Sequence, residues 1–272
     1  MRVLRLIRAP NLLIAAVGVL AGGWIAWEHI ALSRELVFAA LSVTSLGAVG
    51  NTWNDMCDIA ADRINRPRTR PLAAGQVSRG TAALIVFDGT LLGVAFAGLV
   101  SGWQVLAALA VLVVMFCYSP FLKPVPLLGN VAVAAAAGAP PFYGALASGR
   151  PAAGIVPWAL AAWLHLVREV VKDVEDEAGD RVIGRRTLPM AAGRQPALVI
   201  AAGTALLFVP ASLLLPFSAG YGRAYFLIAL LAQMMVLVAA TRLLLGNVQG
   251  MSLLLKGAMV IGLIALIAGK VA

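Results

Sequence analysis

Residues 103–119 read WQVLAALAVLVVMFCYS, a stretch of 17 residues without a single charged side chain. A helix of about 17–25 mostly apolar residues is long enough to cross the hydrocarbon core of a membrane. Apolar and polar side chains do not alternate along this stretch, as they would in a strand of a membrane β-barrel. The stretch therefore predicts a membrane-spanning helix.

The rest of the chain has the same character. Of its 272 residues, 61% are hydrophobic and 12% are charged, and the mean hydropathy is +0.93. Soluble domains average about 45–50% apolar and about 25% charged residues, so this composition excludes a soluble globular enzyme and a disordered chain. We predict an all-α, polytopic membrane protein, a single domain over 1–272 whose helices surround a central cavity. Nine spans are predicted, at 10–27, 35–53, 82–101, 103–119, 127–147, 154–172, 196–217, 223–244 and 252–271.

The basic residues predict the orientation of these spans. With the N-terminus in the cytoplasm, 17 of the 21 Lys and Arg residues lie on the cytoplasmic side and 4 lie outside, as the positive-inside rule requires. The net charge of +9 is then attributed to topology and to an anionic substrate or lipid, not to nucleic acid. The two longest polar loops, 54–80 and 172–195, fall on the cytoplasmic side of the cell membrane, where we expect the active site.

Acidic residues are rare and clustered. Nine of the 12 lie in two short segments, and in each segment three aspartates have the i, i+3, i+7 spacing that lines one face of a helix. Like charges on one face repel, at a higher cost near a membrane, so a divalent metal is predicted to offset them. The alternative is a solvated helix end whose carboxylates are paired with arginines. The aspartates are Asp55, Asp58 and Asp62 in the first segment and Asp173, Asp176 and Asp180 in the second.

The two segments are copies of each other at a shift of 118 residues. Both read Asp-x-x-Asp-x-x-x-Asp-Arg and continue at the same register with Arg-Thr-x-Pro-x-Ala-Ala-Gly. Such a repeat indicates one structural unit used twice, with the first Asp motif at 54–62 and the second at 172–180. Because the shift spans four predicted helices, both motifs face the same side. We expect them to form a paired metal site across the central cavity.

The residue types around the motifs favour Mg²⁺. This ion takes a few carboxylates, keeps bound waters and bridges to phosphates, whereas neither His nor Cys occurs in a cluster that would suit zinc, copper or iron. Arginine and lysine are interleaved with the aspartates. Carboxylates, a metal and bases together bind and ionise a diphosphate, although some of these bases serve topology only.

These motifs resemble those of a known family. Asn54-Asp55-x-x-Asp58-x-x-x-Asp62, followed by Asn65-x-Pro67 and Arg70-Pro71-Leu72, resembles the first motif of the UbiA superfamily of intramembrane prenyltransferases. The second motif of that superfamily resembles Lys172-Asp173-x-x-Asp176-x-x-Gly179-Asp180-x-x-x-Gly184-x-x-Thr187-Leu188-Pro189. The segment Tyr118-Ser119, Lys123 and Gly129-Asn130 is similar to the link between the two halves. Within the superfamily, residues 168–176 look most like the branch that makes digeranylgeranylglyceryl phosphate.

The resemblance implies an activity: Mg²⁺-dependent transfer of a prenyl group, geranylgeranyl, from its diphosphate to geranylgeranylglyceryl phosphate in ether-lipid biosynthesis. An aromatic prenyltransferase of quinone biosynthesis, with an acceptor such as 4-hydroxybenzoate, shares the same motifs and stays open. A cation transporter would carry its charges near the bilayer midplane, whereas these acids lie at the ends of predicted spans. The expected partners are the prenyl diphosphate, a lipid or aromatic acceptor and membrane lipids, without nucleic acid.

The resemblance also implies residue roles. Asn54, Asp55, Asp58, Asp173 and Asp176 would bind Mg²⁺ and through it the diphosphate, and Asp62 and Asp180 would complete the site or orient arginines. Lys172 and Arg70 would neutralise the leaving diphosphate, and Tyr118 would stabilise the carbocation or position the diphosphate, unless it is only an interface anchor. The phosphate of the acceptor would be held by Arg66, Arg68, Arg185 and Lys123. Further substrate contacts are expected from Asn54, Arg63, Arg168 and Glu169.

Overall fold

The computed structural model describes residues 1–271, and all of the regular structure in that range is helical. Three short helices, Ile59–Asn65, Glu177–Val182 and Leu188–Ala192, lie in the two polar loops that include the Asp motifs. The helices are α1 Arg2–Leu6, α2 Ala9–Trp27, α3 Arg34–Cys57, α4 Ile59–Asn65, α5 Arg79–Gly98, α6 Gly102–Cys117, α7 Leu128–Gly138, α8 Pro140–Ala147, α9 Ile155–Glu175, α10 Glu177–Val182, α11 Leu188–Ala192, α12 Arg194–Ser218, α13 Arg223–Leu244 and α14 Met251–Val271. A π-helical turn, Tyr118–Leu122, extends α6, and a 3₁₀ turn, Pro151–Gly154, precedes α9.

The all-α membrane architecture is confirmed, but the count of nine spans is not. Eight helical segments in the described range are long and apolar enough to cross a membrane. The fifth predicted span, 127–147, is divided into the short helices α7 and α8. The division falls at Pro140 and Pro141, because proline has no backbone N–H and its ring clashes with the preceding turn of a helix.

The largest buried core lies among α9, α12, α13 and α14. Alanines at i, i+4 and i+8 on α12, namely Ala197, Ala201 and Ala205, are fully buried there. Without a hydrophobic driving force between helices in lipid, small side chains stabilise the bundle by letting the backbones approach closely. This rigid half of the molecule carries the second Asp motif, at the end of α9.

A crossing of α2 and α8 fixes the N-terminal segment. A Cβ atom on Gly144 would overlap the backbone of Val19, and one on Gly22 would overlap the backbone of Pro141. Only glycine therefore permits this approach at both positions. The crossing positions α2, whose N-terminal cap is Arg8.

The helices that carry the Asp motifs bend at matching positions. α3 ends one residue before Asp58, and α9 ends one residue before Asp176, 118 residues later. The prediction that each set of three aspartates lies along one continuous helix is therefore wrong. The backbone of Asp58 (φ −99°, ψ 8°) leaves helical geometry, but its N–H still donates to Asn54 O at 2.9 Å, and its carbonyl accepts from Asp62 N at 2.8 Å. These two hydrogen bonds continue the helical i→i−4 pattern across the interruption, and Asp55, Asp58 and Asp62 all stay buried.

Candidate active site

Asp55 lies at the end of α3 and is almost completely buried, with 1% of its surface exposed. Arg8 and Arg70 both donate to its Oδ1, the latter at 3.1 Å. Arg8 also donates to the Oδ1 atoms of Asn51, at 3.0 Å, and Asn54, at 3.5 Å. The sequence assigned Arg8 to the cytoplasmic flank only, because no motif surrounds it. The folded chain makes it a direct partner of the first Asp motif.

Asp58 joins three segments of the chain. Its Oδ2 accepts from Lys123 Nζ at 2.6 Å, and its Oδ1 accepts from Arg185 Nη2 at 2.6 Å. Lys123 follows the π-helical turn after α6, and Arg185 comes from the loop after the second motif. Burial raises the pKa of the Asp58 carboxyl, but these two cations outweigh burial and lower the pKa below its ordinary value. Asp58 is therefore held as a carboxylate.

The third aspartate of each motif is less well compensated. Burial raises the pKa of Asp62 to about 6, although Arg70 Nε lies 3.5 Å from its Oδ2. Burial also raises the pKa of Asp180, which accepts from Arg185 at 3.5 Å. Within residues 1–271, one buried carboxylate oxygen on Asp55 and one on Asp180 have no hydrogen-bond partner. The bases at the site leave acceptor oxygens of both motifs free for another cation.

The second motif is held from two sides. Asn130 Nδ2 donates to Asp173 Oδ2 at 2.7 Å, and both residues are buried. Asp176 is half-buried and pairs with Arg66 at 2.7 Å. Tyr118, which follows the last residue of α6, is also buried. Asn130 has no predicted role from its sequence, apart from its place in the linking segment.

Asn65 connects the two motif loops. Its Nδ2 donates to the carbonyl of Asp176 at 2.9 Å, and its Oδ1 accepts from the N–H of Gly179 at 2.8 Å. Asn65 ends α4 and Gly179 lies in α10. A Cβ on Gly179 would overlap the Asn65 amide and the carbonyl of Ala61. The pair therefore fixes the distance between the two motifs.

We expect Gly179→Ala to destabilise the protein by about 1–3 kcal/mol, because the added methyl group must displace α4 from α10. Thermal unfolding in detergent measures this change. Gly203→Ala is the matched control, since Gly203 lies in α12 with open space around its Cβ position, and alanine is the better helix former. Equal unfolding temperatures for the two variants would contradict the close packing of Gly179 against Asn65.

A cavity of about 700 Å³ adjoins this site. Seven of its lining residues are basic and one, Glu175, is acidic. Two of these bases are held by one buried carboxylate: Lys172 donates to Glu169 at 2.8 Å and Arg168 donates to it at 3.2 Å. The basic residues are Arg5, Arg8, Arg66, Arg70, Arg168, Lys172 and Lys256.

The structure thus brings most of the predicted site residues together, but not all of them. Arg63 and Arg68 have exposed side chains that make no hydrogen bond or ion pair with any described residue. Lys172 and Arg168 lie on the cavity wall and pair with Glu169, which is buried behind them. Asn54 is at the centre of the first motif, where it donates to Asp58 at 3.2 Å and to Ser119 at 3.0 Å.

The donor set of the two motifs suits a hard divalent cation. Within residues 1–271, no three His, Cys, Asp or Glu side chains are gathered closely enough to hold a metal by themselves. The available donors are carboxylate and amide oxygens, which Mg²⁺ prefers, and this ion needs only one or two protein carboxylates beside waters and phosphate. The free oxygens of Asp55 and Asp180 fit that requirement.

Comparison with known families decides the identity of the fold. The profile of the UbiA prenyltransferase family matches residues 15–252. The chain belongs to the UbiA prenyltransferase family. The resemblance that the two Asp motifs predicted is therefore confirmed.

Individual UbiA relatives are similar over most of their length. A protein of Thermococcus kodakarensis named digeranylgeranylglyceryl phosphate synthase is 40% identical over 220 residues, which cover 80% of this chain and 78% of that protein. A protein of the same name from Methanopyrus kandleri is 33% identical over 267 residues, 97% of both chains. These names favour the lipid acceptor over the aromatic one.

Solved UbiA structures share the fold. One that was solved in work on digeranylgeranylglyceryl phosphate synthase in membranes has a TM-score of 0.77 at 26% identity, over 99% of this chain and 98% of that one. A UbiA homologue from Archaeoglobus fulgidus, bound to GPP and Mg²⁺, has a TM-score of 0.72 at 21% identity, over 99% and 98% of the two chains. This UbiA chain is thus a multi-pass membrane protein and a prenyltransferase by family.

Proposed function

We propose that this UbiA-family enzyme transfers a geranylgeranyl group from its diphosphate to the free hydroxyl of geranylgeranylglyceryl phosphate. The observation that carries the proposal is the joining of the two Asp motifs: Arg185 from the second loop binds Asp58 of the first at 2.6 Å. The arrangement places carboxylates of both motifs and a set of bases in one site. The names of the relatives supply the acceptor.

The donor diphosphate binds at the Asp motifs. Asn54, Asp55 and Asp58 of the first motif and Asp173, Asp176 and Asp180 of the second would hold Mg²⁺. When bound, this ion supplies positive charge that stabilises the leaving diphosphate. The Archaeoglobus fulgidus homologue with GPP and Mg²⁺ supports this assignment.

The side chains of this protein orient the donor and neutralise its charge. The bond between C1 of the prenyl chain and the diphosphate oxygen breaks, and a bond forms between C1 and the acceptor hydroxyl oxygen, which releases its proton. Lys123 and Arg185, both at Asp58, are positioned to offset the negative charge of the leaving diphosphate. Fixed charges that act on developing charge in a water-poor site are usually the largest contribution to catalysis. Tyr118, buried near the same carboxylates, positions the donor.

The cavity favours a phosphorylated acceptor over an aromatic acid. A 4-hydroxybenzoate molecule carries a single carboxylate, whereas a phosphate monoester carries up to two negative charges. The seven basic side chains of the cavity suit the higher charge. The excess of Lys and Arg on the predicted cytoplasmic side supports an active site that faces the cytoplasm.

A transfer assay tests the proposal. The purified protein in detergent with Mg²⁺ and labelled geranylgeranyl diphosphate is offered geranylgeranylglyceryl phosphate and 4-hydroxybenzoate in separate reactions. We expect transfer to the lipid alone, lost with EDTA and in Asp173→Ala. Transfer to the aromatic acid alone would replace the acceptor assignment, and the absence of both transfer and Mg²⁺-dependent diphosphate release would refute the activity.

A further inference from the structure

Two groups of bases near the active site have different partners. Lys123 and Arg185 contact Asp58 and do not line the 700 Å³ cavity. Arg168, Lys172 and Lys256 line the cavity and do not contact any aspartate of the two motifs among the described residues. Such a division is what an enzyme with two anionic substrates requires.

The cavity set carries more positive charge than its neighbours offset. Arg168 and Lys172 share the single carboxylate of Glu169. Lys256 donates to the neutral side chain of Asn11 at 3.0 Å and has no carboxylate partner within residues 1–271. Glu175, the one acidic lining residue, lies 3.8 Å from Arg66. Partly buried cations without a counter-charge are costly, so an anionic ligand here would be strongly favoured.

The position of the cavity indicates that the anion is part of a lipid. Its walls are the N-terminal segment with the first turn of α2, the loop after α4 at residues 66–70, the last turns of α9 and the first turns of α14. Apolar lining residues, among them Leu4 and Pro10, lie beside the bases. α2 and α14 are both apolar spanning helices that start here. A ligand with its phosphate among the bases can therefore keep its hydrocarbon chain in the membrane.

We propose that this cavity binds the phosphate monoester of the acceptor lipid through Arg168, Lys172 and Lys256, while Lys123 and Arg185 serve the diphosphate of the donor. This inference rests on the proposed function. It reverses the expectation from sequence, which gave Lys172 to the donor and Lys123 with Arg185 to the acceptor. Arg8, Arg66 and Arg70 form the boundary, since all three line the cavity and pair with an aspartate of a motif, Asp55 or Asp176.

The assignment predicts a change in acceptor discrimination when one base is removed. We compare Lys256→Met with the wild-type protein on geranylgeranylglyceryl phosphate and on the same lipid without its phosphate, geranylgeranylglycerol. The KM for the phosphorylated acceptor should rise about 10- to 100-fold, the range of one hydrogen bond to a charged group. The KM for the donor should stay unchanged, and the preference for the phosphorylated lipid over the unphosphorylated one should fall. Lys256→Arg, which keeps the charge, should retain that preference.

Arg242→Met is the matched control, because Arg242 is an exposed base at the end of α13 that does not line the cavity. A rise in donor KM in Lys256→Met would overturn the division of the bases. An equal loss on both acceptors would show a structural role. The same transfer reaction is measured in nanodiscs with and without phosphatidylglycerol. If the wild-type protein needs this lipid for activity and Lys256→Met does not, the cavity binds the headgroup of a membrane lipid and not the acceptor.

A binding measurement separates this inference from the proposed function. Labelled geranylgeranylglyceryl phosphate is titrated into the wild-type and Lys256→Met proteins without Mg²⁺ and donor. Weaker binding to the variant is expected even if the wild-type protein does not transfer a prenyl group to this lipid. Weaker binding to the variant combined with no transfer by the wild-type protein would refute only the proposed function. Equal binding to both proteins would refute the cavity assignment, whatever the transfer assay shows.

Discussion

Asp55→Asn is expected to lower kcat/KM for prenyl transfer by about 10³-fold or more. Asparagine keeps the shape of the side chain but removes the charge that a divalent cation needs, a loss of several kcal/mol, and each 1.36 kcal/mol is a factor of ten in rate. Asp55 has one buried oxygen without a partner and another shared by Arg8 and Arg70. The measurement is steady-state transfer over a range of Mg²⁺ concentrations.

Glu35→Gln is the control for this variant, because Glu35 lies in the first turn of the same helix, far along α3 from the motif. It should retain full activity. Since Asp55→Asn also leaves two arginines with a weaker partner, its unfolding temperature must be measured alongside. An active, folded Asp55→Asn protein with an unchanged Mg²⁺ dependence would rule Asp55 out of the metal site.

Arg185→Met should have the second-largest effect, a loss of about 10²- to 10³-fold in kcat/KM together with lower stability. Arg185 has 10% of its side chain exposed and bridges Asp58 of the first motif to Asp180 of the second. Removing one partner from a buried ion pair typically costs about 3–5 kcal/mol, and losing a fixed donor to developing charge costs about 10²–10³-fold in kcat. Transfer rates and thermal unfolding measure the two effects.

Arg186→Met provides a matched control, since Arg186 is the next residue and its side chain is exposed, with no ion pair to any described carboxylate. It should behave like the wild-type protein. Comparable losses in both variants would mean that net charge near the loop matters and that the bridge does not.

The sequence by itself determined the class of the protein and its chemistry. Residues 103–119 predicted a span and form α6 with the turn that follows it, because helix formation in a membrane depends on the hydropathy of contiguous residues. The two Asp motifs indicated the family because their residues, too, are close together along the chain. Asp55 and Asp58 could thus be predicted as site residues without coordinates.

Other features were decided only by the tertiary structure. Arg8 and Lys256 stand in no motif, and Asn130 stands only in the linking segment. Arg8 reaches Asp55 and Asn130 reaches Asp173 from 43 or more residues away along the chain, and Lys256 lies on the cavity wall beside Asn11. The division of the bases proposed above differs from the one expected from sequence, since Lys123, Lys172 and Arg185 have the same charge and all lie near a motif. Charge type is encoded residue by residue, but which carboxylate a base meets depends on how the helices pack. That packing is set by close approaches such as Gly144 against Val19, which no local pattern reveals.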